Sequence, residues 1–585
     1  MKRNKNILHI VLLAIVGMLT ITSCSDFLEE EPKSMIGPDN VEDSNAGVDY
    51  WVSGVYSNWL DDMFRWAEFP RVLELDADYI SGPDWLFSYL GAGNFQEESS
   101  LDKMWKGPYN LINDANIAKR YINSMKNPSE EYKNNAIGEC LFQEAFAYFL
   151  LVRAYGPIPV LDEDVTVTGK FDNPRLPVKD VYAAIISRLE RAVELLYDRS
   201  NPNYRAGHVS AGSAAGLLAK VYATMASAAM PAGTEVVVRT GEPYRKAKNQ
   251  NGDDIYIYVD PTEHSFNKQA VAGYEDIDPY EMYKKASEWA KKVIDGKYGA
   301  YELALYDNLW KYENRTQSEM MWGIESTASD DTYRTSVHTF YSGYKATAGS
   351  EFLNSGGWVG CTNNWYKLFD EDDLRIVKGV RHFWRYYYQE SYNGIFYYPQ
   401  SWCVRLTGFD IDGTYVGDPE PEFANTGLTY QYNTSSECLA FTTKYNDVKN
   451  DAIEYPESYW PFLRYADVLL IYAEAQNELG NSDEAMKYLN MVRARSNAKL
   501  MTTAFQKVGM RSAIIEERAK EFACEGDRRW DLIRWGIYLD AMNAIGGRDD
   551  SNVNKARTER NLLYPIPRDE INVNTAIETN NPGWN

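Results

Sequence analysis

Cysteine and histidine are scarce in this chain, with 6 and 5 residues among 585. Neither type falls in a metal-ligand pattern. There is no Cys-x-x-Cys and no His-Glu-x-x-His, which argues against a zinc centre. No P-loop, Gly-x-Ser-x-Gly elbow or dinucleotide fingerprint occurs either, so no cofactor and no metal are expected. Positive charge is in deficit: 60 Lys and Arg against 84 Asp and Glu give a net charge of −24. Such a surface repels nucleic acid and anionic headgroups. After residue 24 no apolar run reaches the ~20 residues that a membrane-spanning helix needs.

The one short apolar run is at the start. Lys2, Arg3 and Lys5 precede a mostly apolar stretch from Ile7 to Ile21, and then Thr22-Ser23-Cys24. A basic start, about 15 apolar residues and a small-residue end make a secretory signal over residues 1–23. Ile21-Thr-Ser-Cys24 resembles a bacterial lipobox, which makes Cys24 the lipidated first residue of the mature chain. Several acyl chains together anchor a protein stably. Residues 24–40 then read as a lipidated tether. Its acidic start, Ser25-Asp-Phe-Leu-Glu-Glu-Glu-Pro32, is either a solvated spacer or a surface-sorting signal. Removing the three basic side chains of residues 1–23 leaves the remainder near −27. With Cys24 acylated, Cys140, Cys361, Cys403, Cys438 and Cys524 remain, an odd set without a disulfide framework. The single pairing Cys403–Cys438 stays open.

Helical periodicity clusters in two blocks. Ile137, Leu141, Ala145, Tyr148 and Val152 form one stripe over 131–155, stopped by Gly156-Pro157. Val181, Ile185, Leu189, Ala192 and Leu196 form another over 178–197. Residues 210–230 are rich in Ser, Ala and Gly, which allows helices to approach closely, and 280–295 is amphipathic. A second block starts at Pro461, with Phe462, Ala466, Leu469 and Ala473 on one face. Gly480-Asn481 breaks it, and Ser482 is placed to cap a helix bearing Ala485, Leu489 and Val492. Paired helices of about 34 residues are the tetratricopeptide pattern. Repeats are therefore expected near 101–197, 210–296 and 461–496. Between them, 61–100 and 297–460 are dense in Gly, Tyr, Trp, Asn and Asp. Long irregular segments of this kind are usually functional.

Three stretches carry a family likeness: Gly138-Glu-Cys-Leu-Phe-Gln-Glu-Ala-Phe-Ala-Tyr-Phe-Leu-Leu-Val-Arg-Ala-Tyr-Gly156, Phe462-Leu-Arg-Tyr-Ala-Asp-Val-Leu-Leu-Ile-Tyr-Ala-Glu-Ala475, and Glu516-Glu-Arg-Ala-Lys-Glu-Phe-Ala-Cys-Glu-Gly-Asp-Arg-Arg-Trp-Asp-Leu-Ile-Arg-Trp535. With Leu563-Tyr-Pro-Ile-Pro-Arg568 and Asn581-Pro-Gly-Trp584 they resemble the SusD/RagB family over essentially the whole chain. The resemblance implies a mostly α fold: a right-handed superhelix of about four tetratricopeptide-like pairs, with large inserted loops and a few short strands. Residues 41–585 would form one such domain, with ligand loops near 61–100 and 320–450 and family motifs at 512–585. It also implies a nutrient-binding lipoprotein at the outer surface of a Bacteroidetes-type outer membrane. Its partner would be a TonB-dependent, SusC-like transporter barrel, and its ligand an oligosaccharide or, in some members, a peptide.

The charged motifs read as structure. Glu517, Glu521, Glu525 and Asp527 beside Arg518, Arg528 and Arg529 could suggest the paired carboxylates of a glycosidase. An ionic and packing latch explains them better, with Gly526 as a left-handed C-cap and Asp527 capping the next turn. Arg464, Asp467, Glu474, Asp531, Trp530 and Trp535 belong to the same structural set. Asp370-Glu-Asp-Asp-Leu-Arg375 reads as a helix start. Asp410-Ile-Asp-Gly-Thr414 opens like a calcium loop but lacks the EF-hand Gly and Glu.

Aromatic residues make up 14% of the chain, including 16 Trp and 44 Tyr. Exposed rings can stack on the apolar C–H faces of sugars while polar groups bond the hydroxyls. Trp51, Trp59, Trp105, Trp289, Trp530 and Trp535 lie on helical patterns and are expected in the core. Trp66, Trp85, Tyr89, Tyr341, Tyr344 and Trp358 lie in the loops and are the candidate ligand contacts. The expected function is oligosaccharide capture without catalysis. A peptide-binding member, a surface glycoside hydrolase and a purely structural transporter subunit are the alternatives.

Overall fold

The computed structural model describes residues 41–584, apart from 253, 318, 387–393, 426–428, 433–438, 504 and 547–553. The signal, Cys24, the tether and Cys438 lie outside the described residues. Cys140, Cys361, Cys403 and Cys524 are buried free thiols.

Eight helices form the frame: α1 (Asn45–Asn58), α2 (Ser100–Ser124), α3 (Glu130–Tyr155), α4 (Val178–Leu195), α5 (Ala211–Ala229), α6 (Pro279–Ile294), α7 (Tyr465–Glu478) and α8 (Ser482–Arg495). Each packs on the next from α1 to α8. Four pairs in a row is the mostly helical architecture expected. Local chemistry sets the ends. Ser129 accepts from Tyr132 N to start α3, and Gly156 ends it at φ +70°. Asp278 caps α6 through Tyr280 N and Glu281 N. Because α5 sits among α4, α6 and α7, its small residues have a packing reason: a Cβ on Gly216 would stand 3.0 Å from Met321 and 3.2 Å from Leu463 and Val468.

Two expectations about the second helical block need correction. The second block does not enter a helix at Pro461. Tyr459–Arg464 is a strand paired antiparallel with Met320–Glu325, and the helix begins at Tyr465. Proline lacks the N–H a ladder needs and is tolerated at irregularities; the register shifts between Pro461 and Leu463. Ser482 does not cap α8 either. Asn481 holds that position, and the Ser482 hydroxyl donates to Asn477 Oδ1 at 2.9 Å.

Much of the aromatic content is core. Phe146 meets Phe462 at 4.7 Å, while Trp59 lies 5.7 Å from Phe462 and 6.1 Å from Trp322. Trp59, Trp105, Trp530 and Trp535 are buried. Trp51 and Trp289 are only half-buried: Trp51 stacks on Tyr121 at 4.6 Å, and Lys292 covers Trp289 at 3.4 Å.

The charged C-terminal motifs form a buried ionic network around α9 (Lys507–Glu521) and α10 (Arg528–Arg534). Arg464 takes both oxygens of Glu525 at 2.8 Å, Glu521 at 3.0 Å and Glu319 at 2.7 Å. Arg518 bridges Asp467 and Asp531, and Arg534 bridges Glu474 and Asp531. Asp467 and Glu474 thus tie α7 to later helices. Burial by itself would raise the Glu521 carboxyl, but Arg495, Arg464 and Arg375 outweigh it and hold it well below the usual range. Asp527 stands at the start of α10 without capping it; its carboxylate receives Lys220 Nζ at 2.9 Å instead. Gly526 is left-handed at φ +84°, but α9 ends at Glu521 and its C-cap is Phe522. The network also reaches the N-terminal third: Arg528 grips Asp78 with two bonds of 2.9 and 2.7 Å, and Arg529 pairs with Asp76.

Asp373 caps Leu374–Val377 and pairs with Arg375, as the 370–375 motif suggests. Between α6 and α7 the chain forms irregular layers and a five-stranded sheet. Its order is Thr429–Tyr432, Gly394–Tyr397, Phe383–Tyr386, Phe352–Ser355, Tyr344–Lys345.

Candidate functional site

The loop 82–93 owes its shape to Phe87. This ring is buried between two glycines: a Cβ on Gly82 would lie 2.6 Å from it, and one on Gly91 would lie 2.2 Å away. Gly82 also lets the Trp358 carbonyl approach, since its Cβ would stand 2.6 Å from that oxygen. With Phe87 inward, Trp85 faces outward on the short turn Asp84–Phe87 and remains 57% exposed. Its indole meets Trp358 edge to face, at 5.2 Å and 84°.

Trp358 is half-buried and positioned by backbone. Its N–H donates to Phe340 O at 3.1 Å, and Gly357 N donates to Thr339 O at 2.8 Å. Gly356, at φ +91°, could not carry a Cβ, which would sit 2.4 Å from Thr339 O.

A second aromatic group surrounds Trp66. A π-helical turn, Trp59–Phe64, and a left-handed Ala67 at φ +59° turn Arg65 and Trp66 outward. Such local backbone strain concentrates at functional sites. Trp66 is 46% exposed and meets Tyr455 edge to face at 5.3 Å. The Arg334 guanidinium lies 4.3 Å from the Tyr455 ring and 5.8 Å from the Trp66 ring. Burial first, and then Glu454, push the Tyr455 hydroxyl up to about 12. Thr335 Oγ1 donates to Phe64 O at 2.6 Å and Ser336 N to Arg65 O at 3.1 Å, fastening this segment to the backbone just before Trp66.

Among the candidates, Trp66, Trp85 and Tyr89 are exposed, while Trp358 and Tyr344 are half-exposed. Tyr341 is not a surface residue. It is fully buried, stacked on Tyr445 at 4.9 Å and 5.7 Å from Trp460, because the short helix Val337–Tyr341 turns it inward. Tyr455 is the residue that sequence reasoning missed. Its one signal is a loop aromatic before a proline.

The Asp410 motif forms an Asx turn: its carboxylate accepts from Asp412 N at 3.0 Å and Thr414 N at 2.9 Å. Among the described residues no group of three or more His, Cys, Asp and Glu could hold a metal. The carboxylates of Glu517, Glu521, Glu525 and Asp531 all face arginines.

The frame is a helical repeat scaffold with two aromatic groups at its surface, Trp85 with Trp358 and Trp66 with Tyr455. Two family models match this chain: "SusD family" over residues 319–584 and "Starch-binding associating with outer membrane" over 26–223. The chain belongs to the SusD/RagB family. It is 25% identical to SusD-like protein P2 of Formosa agariphila, over 97% of this chain and 98% of that one. A SusD homolog from Bacteroides thetaiotaomicron has the same fold, with TM-score 0.67, 20% identity, and coverage of 95% of this chain and 100% of that one. A laminarin-binding SusD-like protein matches with TM-score 0.59, 20% identity, and coverage of 92% and 99%.

Proposed function

We propose that this protein captures an oligosaccharide on the surface formed by Trp85, Trp358 and Trp66 and delivers it to a TonB-dependent outer-membrane transporter. The observation that carries the reading is the Trp85–Trp358 pair. An indole left 57% exposed on a glycine-set loop anchored by the buried Phe87 forgoes the gain of burial. It stays exposed where a flat apolar ring can meet a ligand. Rings fixed edge to face offer two differently oriented platforms for sugar C–H faces. Arg334, beside Trp66 and Tyr455, and the half-exposed Tyr344 supply polar groups.

The family description of starch binding at the outer membrane and the laminarin-binding relative support a carbohydrate ligand. The lipobox at Cys24 supports a lipid anchor at the cell surface. No helix among the described residues is long and apolar enough to cross a membrane. Binding without catalysis fits the arginine-paired carboxylates of the C-terminal motifs. A peptide added as a strand would need a free sheet edge. At the Tyr344–Lys345 edge of the five-stranded sheet, Lys345 N already donates to Asp451 O at 2.6 Å.

Titration calorimetry against starch- and laminarin-derived oligosaccharides, a wider set of neutral glycans and a peptide digest tests this. Heat with a glycan, lost in Trp85→Ala, is expected. Heat with peptides alone would overturn the carbohydrate assignment.

A further inference from the structure

Beside the Trp66 group lies a cleft of about 680 Å3 that the aromatic surface does not use. This falls within the roughly 300–1,000 Å3 of small-ligand pockets. Its floor is one face of α1, carrying Tyr50, Gly54 and Ser57, and Tyr333 and His208 stand in its walls. Tyr333 precedes Arg334, whose guanidinium lies 5.8 Å from the Trp66 ring, so the cleft adjoins the aromatic surface at that point.

The walls are fixed from behind. Buried Glu139 accepts from Tyr56 Oη at 2.9 Å and holds His208 Nδ1 at 2.7 Å. That leaves Nε2 as the imidazole's other hydrogen-bonding atom. Tyr56 Oη in turn accepts from Val209 N at 3.1 Å. Gly207, at φ +91°, brings the backbone against Glu325, where a Cβ would lie 2.9 Å from Oε1. The Glu325 carboxylate is itself tied to Arg315 at 3.0 Å.

Gly54 is the telling residue. A glycine inside a helix weakens it, and packing usually explains why one is retained. Here nothing lies within 4 Å of the Cβ position. No neighbour in this chain requires the glycine, and the position opens onto the floor of the cleft, where a larger side chain would fill it. The lining hydroxyls, the imidazole and the Glu325 carboxylate suit a neutral polyhydroxylated group and repel an anion.

We propose that this cleft is a second subsite, taking neutral sugar units of the same chain beyond those lying on Trp66 and Trp85. The assignment rests on the carbohydrate reading above. The test fills the floor. Wild type, Gly54→Trp, Ser57→Leu and Trp85→Ala are titrated with starch- and laminarin-derived oligosaccharide ladders of increasing length and the same neutral glycan set. Melting temperatures are recorded, and Gly54→Ala serves as the control for helix tolerance.

Wild-type affinity is expected to rise about tenfold once the chain is long enough to reach the cleft. Gly54→Trp and Ser57→Leu abolish that step and leave short-chain binding intact. Trp85→Ala weakens every length, and Gly54→Ala raises the melting temperature. Long-chain binding unchanged in both filled variants overturns the subsite while leaving the carbohydrate reading standing. Equal losses at all lengths also overturn it. A wild-type protein that binds no saccharide overturns both.

Discussion

Arg557 joins Asp76 to the loop that carries Trp85. Its Nε donates to Asp76 Oδ1 at 2.9 Å, while Nη2 of the same guanidinium donates to Gly91 O at 2.6 Å. Asn561 adds a bond to Gly93 O at 3.0 Å. The C-terminal motif therefore ties the buried ionic network to the loop that presents Trp85. Arg557→Met removes one partner from a fully buried carboxylate that keeps Arg529 and Tyr538. Breaking such a pair costs roughly 3 kcal/mol. The expected outcome is a lower urea midpoint together with weaker glycan binding, although Arg557 is buried.

Glu74 gives a pH signature. Burial pushes its carboxyl from near 4.5 up to about 8, against the N–H that Gly526 donates to it. The folded state thus keeps a proton that the unfolded chain releases between those values. Its contribution to stability is present below the unfolded pKa and is lost as pH rises through the folded one. Glu74→Gln keeps an acceptor for Gly526 and does not titrate. Relative to the variant, the wild type should lose up to about 1.4 kcal/mol per pH unit across this window. Urea unfolding from pH 5 to 8 measures this, and parallel curves would refute it.

Gly82→Ala places a methyl group against Phe87 and the Trp358 carbonyl, both at 2.6 Å. Overpacking of this kind costs about 1–3 kcal/mol. Because the displaced groups set the Trp85–Trp358 pair, glycan affinity should fall as well. Near-ultraviolet circular dichroism should report the altered indole pair.

Trp85 and Tyr341 should separate cleanly. Trp85→Ala changes an exposed side chain, so stability should stay within about 0.5 kcal/mol while glycan affinity falls tenfold or more. Tyr341→Ala empties a fully buried site and should cost about 3–5 kcal/mol. Thermal unfolding beside calorimetry distinguishes the two.

Periodicity made the repeat frame legible, because buried stripes on α3, α4, α7 and α8 leave a regular mark in the sequence. The strand Tyr459–Arg464 was hidden because its apolar residues run straight into the stripe of α7. Trp85 could be picked out by its polar, glycine-flanked loop, and Trp66 by its place in an irregular aromatic segment beside Arg65. Tyr341 could not be told from them: whether a loop aromatic points in or out is decided by neighbours such as Tyr445 and Trp460, more than a hundred residues later. The cleft under Tyr333 left no sequence mark except Gly54, since its walls come from three distant segments.

The most direct test of the central claim is a crystal structure of the protein with a bound oligosaccharide selected by titration. A pyranose face packed within about 4.5 Å of the Trp85 indole, with Trp358 alongside, is the predicted result. A saccharide seated away from both rings would contradict it.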